Sequence, residues 1–273
     1  HTHGENSDFT INKPTGTASG DVMITVVTAV GNNSGIPAFT MNDWTELDTQ
    51  TTTLGDDGRT SIYYRVAGGS EPTSWTGSRT EGGSNTGCAV VTATYRGVDN
   101  VTPFIGNNSA SAGNPGTQSS GVVNNTNADA WAIGFAGAVD DSNSSIGRSA
   151  GDPTTLRSSV QVFDGGGLGD ECAMAGLWDS NGAVATGNRS FTASESGTTD
   201  WLSSFVAIIN PAMIATWIFG IANLKAITSA SQRPATIHRS SLSANFAIRF
   251  EDSFSSERTT TGRVPVISLS RAA

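Results

Sequence analysis

Apolar and β-branched residues in this chain arrive in short runs of two-residue period, and clusters of Gly, Asn, Asp and Ser cut each run off. A strand turns its side chains to alternate faces, so period two with turn residues between runs specifies antiparallel sheets. Nine runs fit this template: residues 21–30, 44–49, 59–67, 87–96, 129–139, 158–164, 170–179, 187–193 and 201–209. In 129–139 (DAWAIGFAGAV) Trp131, Ile133 and Phe135 fall two apart, placing bulk on one face and Ala and Gly on the other. Capped helical periodicity is nearly absent. The expected fold is all-β, an antiparallel jelly-roll-like β-sandwich with a C-terminal β extension.

Composition narrows the function. Only 14% of the 273 residues are charged, against about 25% in an average soluble domain, which disfavours helical bundles and coiled coils. A net charge of -9 and a pI near 4.7 argue against a nucleic-acid partner, because phosphate binding needs basic residues. A mean hydropathy of -0.18 is too high for a fully disordered chain. The apolar run 212–224 is too short to cross a bilayer, and His1-Thr2-His3-Gly4 lacks the basic start of a secretion signal; no membrane partner is expected. Cys88 and Cys172 sit in apolar, strand-like sequence and read as two buried thiols, with a single inter-strand bridge as the alternative.

A break falls at Pro211. Residues 1–210 carry 21 acidic and 8 basic side chains, while 211–273 carry 3 and 7, so a net charge of -13 gives way to +4. The expected organisation is a sandwich domain over 1–210 and a C-terminal extension or small β subdomain over 211–273 for anchoring or subunit contact. Within it, Trp217 and Phe219 lie in the apolar run, and Phe246, Ile248 and Phe250 share one face of a candidate strand; these five are candidate contact residues. A basic arm suits docking onto acidic neighbours, since opposite potentials steer association.

Catalytic chemistry is sparse. His1, His3 and His238 are the only histidines and no GxSxG motif is present, which disfavours a Ser/His/Asp site. The carboxylate pairs Asp56/Asp57, Asp140/Asp141 and Asp170/Glu171 all sit in turn-like sequence. No catalytic residue or cofactor is expected. Clustered oxygen ligands at Asp140, Asp141 and Asn143 make a weak candidate calcium site, without EF-hand spacing. Among the tryptophans, Trp75 in 71–75 (EPTSW) reads as the best-exposed stacking platform, whereas Trp131 and Trp201 read as core.

Several motifs follow one another in order: Lys13-Pro14-Thr15-Gly16, then Gly20-Asp21-Val22, Trp44-Thr45-Glu46-Leu47, Tyr63-Tyr64-Arg65-Val66-Ala67, and Tyr95-Arg96-Gly97-Val98-Asp99 followed by Pro103. Locally, Gly20-Asp21 reads as a strand-entry turn and Arg96–Asp99 as a turn-stabilising Arg–carboxylate pair. Tyr63 and Tyr64 point to opposite faces, one inside and one exposed or against a partner. This series resembles a β-sandwich module of bacteriophage virion proteins, well over 9–105 and loosely over 106–210. The resemblance implies a non-enzymatic virion structural protein of the capsid decoration, head fibre or minor tail type. Its implied partners are other virion proteins, above all the major capsid protein, and copies of itself, on the particle surface. Capsid decoration is favoured over a fibre because no repeats or heptads are evident. The alternative is a carbohydrate-binding or adhesin module that contacts a host-surface glycan.

Overall fold

The computed structural model describes residues 2–3, 8–31, 35–53, 57–80, 87–113, 116–140, 145–163, 172–196, 200–212, 246–247 and 270–271. They fall in two compact units, His1–Ala215 and Thr216–Ala273, divided close to the composition break. In chain order the first unit contains β1 (Thr2–His3), β2 (Asp8–Asn12), β3 (Val22–Val30), β4 (Ala38–Thr40), β5 (Thr45–Thr52), β6 (Gly58–Val66), β7 (Ser74–Thr80) and β8 (Cys88–Tyr95). It continues with β9 (Phe104–Ala112), β10 (Thr117–Ser119), β11 (Val123–Asn125), β12 (Trp131–Asp140), β13 (Ile146–Gly151) and β14 (Thr155–Phe163). β15 (Cys172–Asp179), β16 (Gly187–Arg189), β17 (Phe191–Glu195) and β18 (Trp201–Ile209) complete it. In the second unit, β19 (Phe246–Ala247) pairs antiparallel with β20 (Ser270–Arg271). The described residues contain no helix, and the fold is an all-β antiparallel sandwich, as the periodicity predicts.

Two five-stranded sheets form the centre of the first unit. Their orders are β1-β8-β3-β6-β5 and β14-β15-β12-β18-β9. They meet through Val22, Ile24, Val26 and Ile62 on one side and Ile133, Phe135, Leu177 and Phe205 on the other, all fully buried or nearly so. Each sheet is also covered on its outer face. A small sheet β2-β7-β4 lays Phe9 and Ile11 over Met23, Val27 and Tyr63. A second, β10-β17-β13, lays Phe191 and Ala193 over Ala136, Met174 and Trp178. The result is four layers, which explains why β3, β15 and β18 are buried along their whole length.

The two halves repeat one connectivity. Numbered from each half's own first strand, β1–β8 give the order 1-8-3-6-5 with a second sheet 2-7-4. The strands β9, β10, β12, β13, β14, β15, β17 and β18 give the same two orders. One irregularity agrees as well: β5 bulges at Leu47 and β14 bulges at Arg157, each directly after the second pair of its ladder. The sequence carries no visible repeat because equivalent positions keep their facing and not their residue identity; Ile62 and Leu177 face the seam, while Tyr63 and Trp178 face outward. The four layers also revise the expectation for the tyrosine pair. Tyr63 is buried under the small sheet, and Tyr64 packs on the seam against Phe104 at 5.1 Å, so neither is left exposed.

The sequence motifs close on one another. Arg96 donates from Nε and Nη2 to the two carboxylate oxygens of Asp21, both at 2.9 Å, and from Nη2 to the Gly16 carbonyl at 3.0 Å. The expected Arg–carboxylate pair therefore forms with Asp21, across the sheet, while Asp99 accepts from the backbone N–H groups of Val101 and Thr102. Gly20 and Gly97 flank this clasp at φ of 86° and 73°, a region that glycine enters without steric cost. The Arg96 hydrogen bonds, with that of the Ala18 N–H, outweigh the cost of burial and hold Asp21 below the ordinary aspartate value of 3.8. Cys88 and Cys172 are buried, unbridged thiols on the outer faces of different sheets, which excludes the disulfide; burial pushes Cys88 up to about 12.

Two outcomes test this packing. A Cβ at Gly137 meets the hydroxyl oxygens of Thr28 and Thr60 from the facing sheet, so Gly137→Val is expected to cost about 1–3 kcal/mol in a denaturant titration, as overpacking does. Because Asp21 titrates lower when folded than unfolded, its clasp contributes fully above about pH 4 and is lost as the pH falls through the folded value. The stability gap between wild type and Asp21→Asn is therefore expected to narrow below about pH 4 in melts recorded across pH. A pH-independent gap contradicts the assignment.

Candidate functional site

A cavity of about 410 Å³ lies at one end of the central seam. β8 and the turn after it supply Tyr95 and Arg96, the first residue of β12 supplies Trp131, the β14 bulge supplies Arg157, and the end of β18 supplies Ile209, with Pro211 beyond. Val98 and Pro211 close this end by an antiparallel bridge, and Asp99 N–H donates to the Asn210 carbonyl at 2.9 Å. The bulge at Arg157 is what turns its guanidinium into the cavity instead of leaving it on the sheet surface.

Asp179 is the polar centre. Only 2% exposed at its side chain, it accepts from Arg157 Nε at 2.6 Å, Arg157 Nη2 at 2.9 Å, Asn181 N–H at 2.8 Å and Tyr95 Oη at 3.3 Å. Arg157 Nη2 also donates to Asn181 Oδ1 at 2.8 Å. Four donors thus saturate one carboxylate, the condition under which a buried charge is tolerated. Burial, then the Asp179 charge, pushes the Tyr95 hydroxyl well above its ordinary value, so it stays a neutral donor. The side-chain bond to Asp179 raises the already high value of Arg157.

The same site in the first half is filled. There the bulge residue is Leu47, and Tyr64 stands where Asp179 stands, opposite Thr45 as Asp179 is opposite Thr155. Leu47 and Tyr64 pack into the seam, and Phe104 of β9 meets Tyr64 edge-on at 73°. Apolar bulk at one end of the seam is matched by an ion pair and a void at the other.

The residues singled out from sequence lie elsewhere. Trp75 is on β7, not in a turn; half-buried, it meets Trp44 edge-on at 5.4 Å and has the Arg65 guanidinium carbon 5.8 Å from its ring centre. Asp140 ends β12, and Phe246 lies in β19; their side chains are not described. Asp141, Asn143, Trp217, Phe219, Ile248 and Phe250 fall outside the described residues. Among the described residues no three His, Cys, Asp or Glu side chains lie together as a metal site. Asp57 serves a loop, accepting from Gly35 N–H at 3.1 Å. The sequence reading passed over the Arg157–Asp179–Tyr95 cluster because its members lie far apart in the chain and arginine in a strand has no local signature. Trp131, read as core, is half-buried on the cavity wall.

Removing either donor to Asp179 separates structure from surface. Arg157→Ala strands a buried carboxylate and is expected to cost about 2–3 kcal/mol, less than a fully buried pair because Arg157 is itself 36% exposed. Tyr95→Phe removes one neutral donor and is expected to cost about 1 kcal/mol. Equal losses in chemical denaturation would contradict the central role of the ion pair. Comparison with protein-family models, with curated proteins and with solved structures returns no match.

Proposed function

We propose that the chain is a structural protein of a virion, displayed at the capsid surface as a decoration or cement protein, with residues 211–273 contacting other subunits. The observation that carries this reading is the strand order of each half, 1-8-3-6-5 over 2-7-4. It interleaves as a jelly roll does, with the fifth strand moved beside the sixth, and jelly rolls recur in viral capsid domains. Two such units in four layers make a rigid block. The module likeness over 9–105 agrees, since its motifs are scaffold positions: the Asp21–Arg96 clasp and the Tyr63–Tyr64 packing.

Charge supports an assembly role. All eight cationic side chains of residues 1–210 are engaged internally: Arg59, Arg65, Arg96, Arg157 and Arg189 on carboxylates, and Lys13, Arg79 and Arg148 on backbone carbonyls. The surface charge of this unit is therefore dominated by acids, complementary to the net +4 of 211–273 in neighbouring molecules. The expected outcome is an oligomer in sedimentation and particle-bound protein in electron microscopy. Deletion of 212–273 abolishes both, and raised salt weakens association as exposed charges are screened. A monomer absent from particles overturns the reading, and assembly that survives the deletion overturns the role of the tail.

A further inference from the structure

We infer that the cavity beside Trp131 is a binding site for one pyranose residue of a neutral glycan. The inference stands independently of particle assembly. Three features of the site define the ligand. First, a volume of about 410 Å³ is at the small end of ligand pockets, of the order that holds a single ring with its substituents. Second, the walls are mostly apolar: the Trp131 indole, Ile209, Pro211 and Val98 offer flat and aliphatic surface to the C–H face of a sugar. Third, the charged donors on the wall, Arg96 and Arg157, are already balanced by carboxylates. Arg157 is neutralised by Asp179 and Arg96 by Asp21, each through two guanidinium nitrogens. In both arginines Nη1 makes no hydrogen bond among the described residues. These free N–H edges suit hydroxyl oxygens, while the balanced charge gives an anionic or cationic ligand no net attraction.

The comparison between the halves favours a ligand over a packing flaw. The equivalent seam end is closed by Leu47, Tyr64 and Phe104. Apolar closure is therefore accessible to this fold, whereas this end is left open with Trp131, Ile209 and Pro211 on its wall. The second half carries instead a buried carboxylate saturated by four donors, an arrangement that fixes Arg157 and Tyr95 at the cavity edge.

The test uses the full chain on an array of neutral hexose and N-acetylhexosamine oligosaccharides, alongside sialylated and sulfated ones, followed by calorimetry on the hits. Binding to neutral glycans is expected. Trp131→Ala is expected to weaken it by about tenfold or more, and Ala93→Leu, which fills the cavity from β8, to abolish it without lowering the melting temperature. Trp75→Ala leaves binding unchanged. If Trp131→Ala fails to fold, the folded Ala93→Leu variant decides. The inference is overturned by no binding to neutral glycans, by binding confined to anionic ones, or by binding that Ala93→Leu leaves intact.

Discussion

Burial of the seam between the two five-stranded sheets is the interaction on which the rest depends. Ile24, Val26 and Ile62 meet Ile133, Phe135, Leu177 and Phe205 there with no exposed surface beyond 1%. Neither sheet can exist with that face in water, because the apolar area it removes is the dominant favourable term in folding. The seam also sets the position of the candidate site. Gly137 must be glycine because Thr28 and Thr60 of the facing sheet arrive at the distance of a missing side chain. The cavity lies where the seam runs out at the Tyr95 and Trp131 end.

The strands that build the seam were legible in the sequence, and for one reason. A strand covered on both faces needs apolar or small residues at nearly every position, and 22–30, 131–139, 172–179 and 201–209 supply them. The backing strands, and β9 at the edge of its central sheet, were not legible. SWTGSRT in β7, FIGNNSASA in β9 and IGRSAG in β13 are rich in Ser, Asn and Gly, which intrinsically prefer turns. They are held extended by ladder pairing to strands distant in the chain. Sequence periodicity reports the burial of a residue's own face and nothing about a partner a hundred residues away. The duplication was hidden for the same reason, since burial and strand order were kept while residue identity was not.

The candidate site was the least legible part. Its polar centre, Asp179, reads locally as the end of a strand, and its partners Tyr95 and Arg157 come from other strands. Trp75 drew attention because it follows a proline and a run of polar residues, yet strand pairing with Ile11 places it in the backing sheet, against Trp44. The Gly20-Asp21 and Arg96-Gly97 motifs were recognisable as turns, but only the fold brings the two turns face to face.

Comparison of the two halves turns these observations into an argument about where chemistry can reside. Positions at which both halves agree, such as Ile62 with Leu177 or the two bulges, are constrained by packing alone, since each must fill the same seam. Positions at which they differ in chemistry are not dictated by the fold, because the other half demonstrates an alternative that packs. Leu47 with Tyr64 against Arg157 with Asp179 is such a difference: one end is closed by apolar bulk, the other is opened around a satisfied ion pair. A buried ion pair is at best a weak source of stability compared with well-packed apolar side chains. Its presence at the open end, with a tryptophan on the wall and two guanidinium edges unspent, is therefore accounted for by what the opening can hold.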